Sequence, residues 1–440
     1  MKLSIPTYAE NVINVLLNNG YSAYFVGGAV RDSLLGNTPL DWDVTTSATP
    51  DQVMSLFPRH FETGIKHGTV TVLWDNKPVE ITTFRVDSDY SDNRHPEQVV
   101  FAKNFAEDVK RRDFTVNAIG YNHNEGIVDL VGGQEDLKAG IIRCVGNPDT
   151  RFKEDALRIL RGIRLASVLD FQFEQNTKEA LINNKHLLKN ISSERIRAEM
   201  DKMLMSDRSL KPLYDVCDVL FPELYACFSC EQNNKHHIYD VGTHSLKAAQ
   251  YANGDIAVKY AALFHDIGKP AVLSTDEEGV DHFYNHELFS EEMAHEIFNR
   301  LKLDNKTKKE ALMLIKYHSR LIEPTEKSVK KFLSKTSEEF LRKHLALRRA
   351  DVLAQNSQYS APKLQQINEI EEVLENVLAS ADAFSLKDLA VNGKDIMELG
   401  AKNSQIRFIL NRLLTAVIDN QQLNTKEKLI EMAKNILNCR

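Results

Sequence analysis

Cysteine is scarce in this chain: five residues, Cys144, Cys217, Cys227, Cys230 and Cys439, are spread along 440 positions. So few, and an odd number, exclude a disulfide framework and fit a reducing compartment. Cys227 and Cys230 form an isolated CxxC. Without further ligands at zinc spacing, the expectation is unpaired core thiols. Long apolar runs are missing as well, none approaching the ~18 residues of a membrane helix, so a helical membrane protein is excluded. Near the N-terminus Glu10 and Asn11 interrupt the one apolar stretch, and Val12, Ile13, Leu16 and Leu17 keep helical spacing. A cytoplasmic protein is expected rather than an exported precursor. Positive charge is in deficit too, with 55 Lys and Arg against 62 Asp and Glu and a net charge of −7. That excludes a uniformly basic nucleic-acid coat, and any RNA contact must rest on local positive charge. Repeats and low-complexity segments are absent.

What is present is a globular composition, 42% hydrophobic and 27% charged, at a length that implies roughly three domains. Up to about residue 145, short β-branched runs mix with helical segments; beyond Asp149 the pattern is almost wholly helical. The fold class is therefore α+β, a small mixed sheet with helices followed by all-α parts, with a boundary near Pro148. Ala23–Val26 reads as a strand running into a tight Gly27-Gly28 turn and a helix over Val30–Leu35. Asp41–Thr45 reads as a strand, and Thr49, Pro50 and Gln52 supply an N-cap, an N1 proline and a capping-box partner for a helix through Phe57. Thr69–Trp74 and Val79–Phe84 flank Asp75-Asn76-Lys77 as a hairpin. From Arg151 a helix carries Ala156, Ile159, Leu160, Ile163 and Leu165 on one face and arginines on another. A further helix starts from a capping box at Ser192 or Ser193. The expected division is a head over 1–147, a helical neck over 148–205, a helical body over 206–375 and a helical tail over 376–440.

Asp41 and Asp43, two apart on the expected strand, project carboxylates from one face. Held that close, they favour a divalent cation between them, and magnesium takes such hard oxygens while keeping positions for phosphates and water. Alone, DxD reads as a solvated turn. Its neighbour changes that: the Gly27-Gly28 turn, with Arg31 one helical turn on, offers amides from Gly28 onward and a guanidinium to phosphate oxygens. Together these describe phosphoryl transfer. Glu80, on the hairpin, reads equally as a third ligand and as a surface glutamate on an edge strand.

Asp155 and Arg158, three apart, share a helix face and can present an acceptor beside a bidentate donor. Cytosine and adenine both offer an exocyclic amino donor beside a ring-nitrogen acceptor, whereas uracil and guanine reverse the order. An Asp–Arg pair would accept the first two and reject the others, because a wrong base leaves buried polar groups unpaired. Taken singly, the pair is an ordinary surface ion pair. Arg161 and Arg164 extend the same face as a basic stripe or, near a triphosphate, a clamp. Arg111, Arg112 and Asp113, with Asn117, form another charged cluster.

Taken together, Gly27-Gly28-Ala29-Val30-Arg31-Asp32, Leu34-Leu35-Gly36, Asp41-Trp42-Asp43, Arg111-Arg112-Asp113 through Asn117, Glu154-Asp155-Ala156-Leu157-Arg158 and Glu194-Arg195-Ile196 resemble the motifs of class II tRNA nucleotidyltransferases. These are the CCA-adding enzymes and the related bacterial poly(A) polymerases. The resemblance covers about the first 205 residues closely and the last 60 loosely. It implies a head, neck, body and tail; magnesium on Asp41 and Asp43; nucleotide binding by Gly28, Arg31, Arg112, Asp155, Arg158, Arg161 and Arg164; and template-independent addition of CTP then ATP to the tRNA 3′ end, with tail lysines meeting the tRNA backbone. Enzymes of the family that add only CC lack a flexible loop after the third strand. Here Asp87-Ser88 replaces the usual Glu-Gly, but Tyr90-Ser91-Asp92-Asn93-Arg94-His95-Pro96 keeps the rest, which favours full CCA addition. The basic patch that marks poly(A) polymerases after the neck motif is not found.

The histidines form a second constellation: His244, the adjacent His265-Asp266, His286, His318 and the distant Asp351. Such a set suits a borderline divalent transition metal and resembles the HD phosphohydrolase superfamily, in which it activates a water. His236, His237, His282 and His295 have no such context and read as surface or core. The reading is a CCA-adding tRNA nucleotidyltransferase with an inserted HD domain and no membrane partner. Its alternatives are an A-only or poly(A) polymerase, a phosphohydrolase acting on RNA ends or nucleotides whose head grips RNA, and a non-catalytic RNA-binding protein.

Overall fold

A computed structural model of the chain describes residues 2–87, 99–380 and 382–438. The Tyr90–Pro96 motif lies outside them, as does Cys439. The chain forms two compact units, Met1–Pro222 and Glu223–Arg440.

The first unit carries a seven-stranded mixed sheet in the order His60–Gly64, Thr69–Trp74, Lys77–Thr83, Asp43–Thr46, Ala23–Val26, Gly120–Asn122, Gly126–Val128. Within this sheet Asp43–Thr46 and Lys77–Thr83 pair in parallel, and the other described pairings are antiparallel. The α+β expectation holds, and local chemistry sets most of the elements. Asp75 and Asn76 take φ of +50° and +60° between register partners Trp74 and Lys77, the left-handed pair a two-residue hairpin turn requires. Thr49 and Gln52 close their capping box at the start of helix Pro50–Leu56. Gly27, at φ +73°, makes the turn from Ala23–Val26 into helix Gly28–Leu34, a conformation that favours glycine.

Three expectations shift. The strand starts at Asp43, not Asp41, so the aspartates do not share a strand. Trp42, between them, buries against Phe25 with ring centroids 5.0 Å apart. The expected continuous helix from Arg151 is two, Pro148–Glu154 and Leu157–Leu169, broken at Asp155. The Asp155 carboxylate accepts the Leu157 N–H at 3.1 Å, the competition with backbone bonding that makes Asp a helix-end residue. The later helix is Ser193–Leu204, and its N-cap Ser192 makes no side-chain cap bond.

The second unit is helical apart from a small hairpin, Ser274–Thr275 with Asp281–His282. Helices Val241–Tyr251, Ile256–Phe264, His286–Arg300, Asn305–Tyr317 and Glu338–Leu353 surround a histidine cluster. Toward the C-terminus, Gly393–Glu398, Asn403–Asp419 and Lys426–Asn438 share their own core of Ile396, Ile409, Leu413, Val417, Leu429 and Ala433. The described cysteines, Cys144, Cys217, Cys227 and Cys230, are buried free thiols. Among the described residues no helix is long and apolar enough to cross a membrane.

Candidate functional sites

Asp43 opens its strand beside Glu80, its register partner on the neighbouring parallel strand, so the two side chains stand on one face. The Gly27 turn lies against them: a methyl on Gly27 would sit 3.7 Å from Asp43 Oδ2. Burial, then the charges of Asp41 and Glu80, push the Asp43 carboxyl up to about 6, against the pull of Arg112 and Arg161. Asp41, Asp43, Glu80, Arg112 and Arg161 therefore lie within one electrostatic neighbourhood. Asp41 itself is exposed.

Every arginine expected to meet phosphate is already engaged. Arg31 is nearly buried, donating from Nη1 to Asn117 Oδ1 at 2.7 Å and from Nε to Asp32 Oδ1 at 2.8 Å. Arg111 and Arg112 converge on Asp108, a fully buried carboxylate on helix Phe105–Lys110 that also accepts the Arg85 amide and the Thr45 hydroxyl. Sequence reasoning missed Asp108, although its spacing of three and four from the arginines places all three on one helix face. Arg161 grips Asp113 through Nε at 2.8 Å and Nη2 at 2.7 Å. Burial opposes ionisation of Asp113, but Arg161 and the Phe114 amide outweigh it and hold the carboxyl at about 2. Arg164 donates from Nε to the buried Glu199 at 2.5 Å.

Asp155 and Arg158 stand at the break between the two helices. Asp155 Oδ2 accepts from Arg195 Nη2 at 2.9 Å, which ties it to the Glu194-Arg195-Ile196 motif. Arg158 donates to Glu154 at 2.6 Å and to the carbonyls of Arg151 and Arg111. Asp155 and Arg158 therefore flank a helix break with separate partners, Arg195 and Glu154, and do not pair along a continuous helix face as expected.

In the second unit the six expected ligands meet. His244, His265, His286 and His318 each donate Nδ1–H to a backbone carbonyl, those of Ala354, Ala262, Phe283 and Ile315. A carbonyl only accepts, so in each neutral ring Nε2 is left as a lone pair. These Nε2 atoms face one another, 3.4 Å apart for His244 and His265 and 3.0 Å for His286 and His318. Asp266 lies between the pairs, with Oδ2 3.2 Å from His265 Nε2 and Oδ1 3.2 Å from His286 Nε2, and Asp351 Oδ1 reaches His244 Nε2 at 3.0 Å. Two groups whose ligand atoms lie within 4.8 Å of one another result, His244 with His265 and Asp266, and Asp266 with His286 and His318. Opposed lone pairs around carboxylates are a donor set that fits divalent cations. The carbonyl bonds on Nδ1 fix each ring for that role.

Two neighbours escaped sequence reasoning. Lys269, one turn after Asp266, is buried and bonds both Asp266 Oδ2 and Gln232 at 2.7 Å. His237 stands edge-on to His244 at 5.2 Å; burial and nearby Lys269 hold its pKa down at about 3.

Comparison with known proteins places these features in context. The poly A polymerase head domain matches residues 23–143, the probable RNA and SrmB-binding site of polymerase A matches 170–227, and the HD domain matches 236–356. A CCA-adding enzyme of Lactobacillus helveticus is 53% identical over 195 residues, 44% of this chain and 49% of that protein. The chain thus spans about half the length of that relative. A CCA-adding enzyme of Bacillus pumilus is 36% identical over 438 residues, covering 97% of this chain and 96% of that protein. The crystal structure of the Bacillus stearothermophilus CCA-adding enzyme in complex with CTP superposes with a TM-score of 0.73 at 28% identity, covering 99% of this chain and 98% of that one. With whole-chain likeness in sequence and in fold, the chain belongs to the CCA-adding enzyme family.

Proposed function

We propose that this protein adds CCA to the 3′ end of tRNA from CTP and ATP, without a nucleic-acid template, and releases pyrophosphate. The observation that carries this reading is the likeness to the Bacillus pumilus enzyme along 97% of the chain; the CTP complex of the Bacillus stearothermophilus relative supports the nucleotide. Asp41 and Asp43 hold magnesium. Their hard oxygens fit that ion, and Asp43, half-buried beside two other carboxylates, gains most from a cation. When bound, the ion stabilises charge at the α-phosphate and at the attacking hydroxyl. The tRNA 3′ oxygen bonds to the α-phosphorus in line as the bond to the bridging oxygen breaks. Gly28 and Arg31 bind triphosphate oxygens, joined by Arg112, Arg161 and Arg164, whose carboxylate anchors hold them in place beforehand. Asp155 accepts from the base amino group and Arg158 donates to the ring nitrogen, the pattern shared by cytosine and adenine. On this reading residues 1–147 are the catalytic head, 148–205 the nucleotide-reading neck, 206–375 the body and 376–440 an RNA-binding tail, and the cytoplasm is the compartment. The test gives tRNA lacking its 3′ end to the purified protein with each nucleotide. Addition of UTP or GTP as readily as CTP refutes the base-reading pair, and A-only or runaway A addition selects the poly(A)-type alternatives.

A second activity is favoured by the four opposed Nε2 lone pairs. The HD centre holds a divalent transition metal on His244, His265, Asp266 and Asp351, with His286 and His318 completing a second group, and serves metal-dependent phosphoester hydrolysis. Metal analysis of the protein and loss of hydrolysis in His265→Ala test it; a metal-free, inactive wild type refutes it.

A further inference from the structure

Two cations beside the HD centre lack the counter-ions their burial calls for. Arg348 lies one turn before Asp351 on helix Glu338–Leu353, on the same face. It is half-buried, and its bond is to the Arg320 carbonyl at 3.2 Å. Lys363, half-buried on helix Ser360–Ala379, donates to Gln355 Oε1 at 2.6 Å; Gln355 Nε2 donates to Asp351 Oδ1 at 3.0 Å, the oxygen that faces His244 Nε2. Neither cation has an ion-pair partner among the described residues. Lys269 differs, because it bonds a carboxylate, Asp266, directly.

Burial holds both cations below their ordinary pKa ranges despite the nearby Asp351 charge. A half-buried cation with no carboxylate is costly unless something anionic completes it. Asp351 acts on both cations only at a distance, forming a direct ion pair with neither, and its Oδ1 is engaged by His244 and Gln355. Once a single divalent ion balances Asp266 and Asp351, Lys269, Arg348 and Lys363 leave the centre with excess positive charge. A dianionic group is the natural complement.

We infer that Arg348 and Lys363 bind the terminal phosphate oxygens of a phosphate monoester at the HD centre. The inference rests on the phosphohydrolase reading of that centre and names the residues that confer its preference for a terminal phosphate. Arg348 supplies a planar fork and Lys363 a point charge, positioned through Gln355.

The test uses the full chain loaded with Mn²⁺ and inorganic phosphate as probe, read as direct binding and as competitive inhibition of p-nitrophenyl phosphate hydrolysis. Arg348→Met and Lys363→Met should each weaken phosphate binding and raise KM roughly tenfold, with kcat changed less and metal content and Tm unchanged. Arg348→Lys and Lys363→Arg should retain most of the affinity. A purely structural role predicts lower Tm or metal content instead, with phosphate affinity intact in the folded fraction, and overturns the inference. If the double Met variant binds phosphate as the wild type does, the inference fails while the phosphohydrolase reading stands. If metal-loaded wild type neither binds phosphate nor hydrolyses the ester, both fail. Cleavage of a nucleoside 3′-monophosphate but not of an oligonucleotide 3′-phosphate, or of both, supports the inference and tells free nucleotide from RNA end.

Discussion

Asp108→Asn tests the ion network most directly, because a single fully buried carboxylate anchors two arginines. The change keeps the shape but removes the charge, and it turns one acceptor into an amide donor facing a guanidinium. Breaking a buried pair by removing one partner costs about 3–5 kcal/mol. The arginine side chains are 16% and 15% exposed, so solvent relieves part of the loss and the low end, ~3 kcal/mol, is expected. For a unit of this size each kcal/mol moves Tm by roughly 2–4 °C, giving a fall of about 6–12 °C. Both tryptophans, Trp42 and Trp74, lie in Met1–Pro222, so tryptophan fluorescence follows that unit alone. The pH dependence adds a second check. Burial alone would raise the Asp108 carboxyl, yet Arg112 and Arg111 outweigh it and lower its pKa. A depressed carboxyl stabilises above its unfolded value and loses that contribution as pH falls through the folded value. The gap between wild type and variant should therefore narrow below about pH 4. A Tm change under ~2 °C at pH 7, or a gap that does not narrow in acid, refutes the reasoning.

Asp43→Asn should abolish CCA addition yet stabilise the metal-free first unit at pH 8. A carboxyl raised to about 6 loses stability as pH climbs from ~4 through 6, on the order of 3 kcal/mol, and denaturant melts in EDTA would show no such gain if Asp43 ionised freely. Asp113, held at about 2, contributes about 2 kcal/mol that is lost between roughly pH 4 and 2. Asp113→Asn should thus flatten the acid limb of the tryptophan-detected stability profile, and an unchanged limb contradicts the Arg161 pairing. Gly268→Ala would put a methyl 2.6 Å from the His286 carbonyl oxygen and the Ser290 nitrogen. Displacement of helix His286–Arg300 should lower metal content at the HD centre without affecting CCA addition, and normal metal loading would show that the backbone yields.

The parts of this chain that were legible in its sequence are those set by local chemistry. The Asp75-Asn76 turn, the Thr49 capping box, the Gly27 turn and the helical stretch after Pro148 each follow from a few adjacent residues. The HD ligands were legible because their residue types are rare and metal-like. The pairings were not. Nothing local says that Asp155 would break its helix, since its apolar neighbours Ala156, Ile159 and Leu160 keep helical period through the break. Nor does it say that Arg195, forty residues on, would hold its other oxygen. Nothing in the sequence marked Asp108 as buried, although its spacing to Arg111 and Arg112 was visible. His237 read as contextless because its context is His244, brought against it by the fold.

The net charge of −7 takes on a different meaning once the pairings are known. Arginines over 111–164 looked like the local positive charge that an acidic RNA-handling chain must keep in reserve, but each has a carboxylate partner. Arg112 answers to Asp108, Arg158 to Glu154, Arg161 to Asp113 and Arg164 to Glu199. The acidic residues there hold guanidinium forks in fixed directions and cancel much of their long-range field. On the proposed function, such a site attracts polyanions weakly from a distance and binds them by geometry at close range, because a planar fork anchored on one side still offers N–H donors on the other. That arrangement suits the proposed discrimination among triphosphates of identical charge. Steering by net charge would draw all four nucleotides alike, and selectivity can come only from groups held still while they are read.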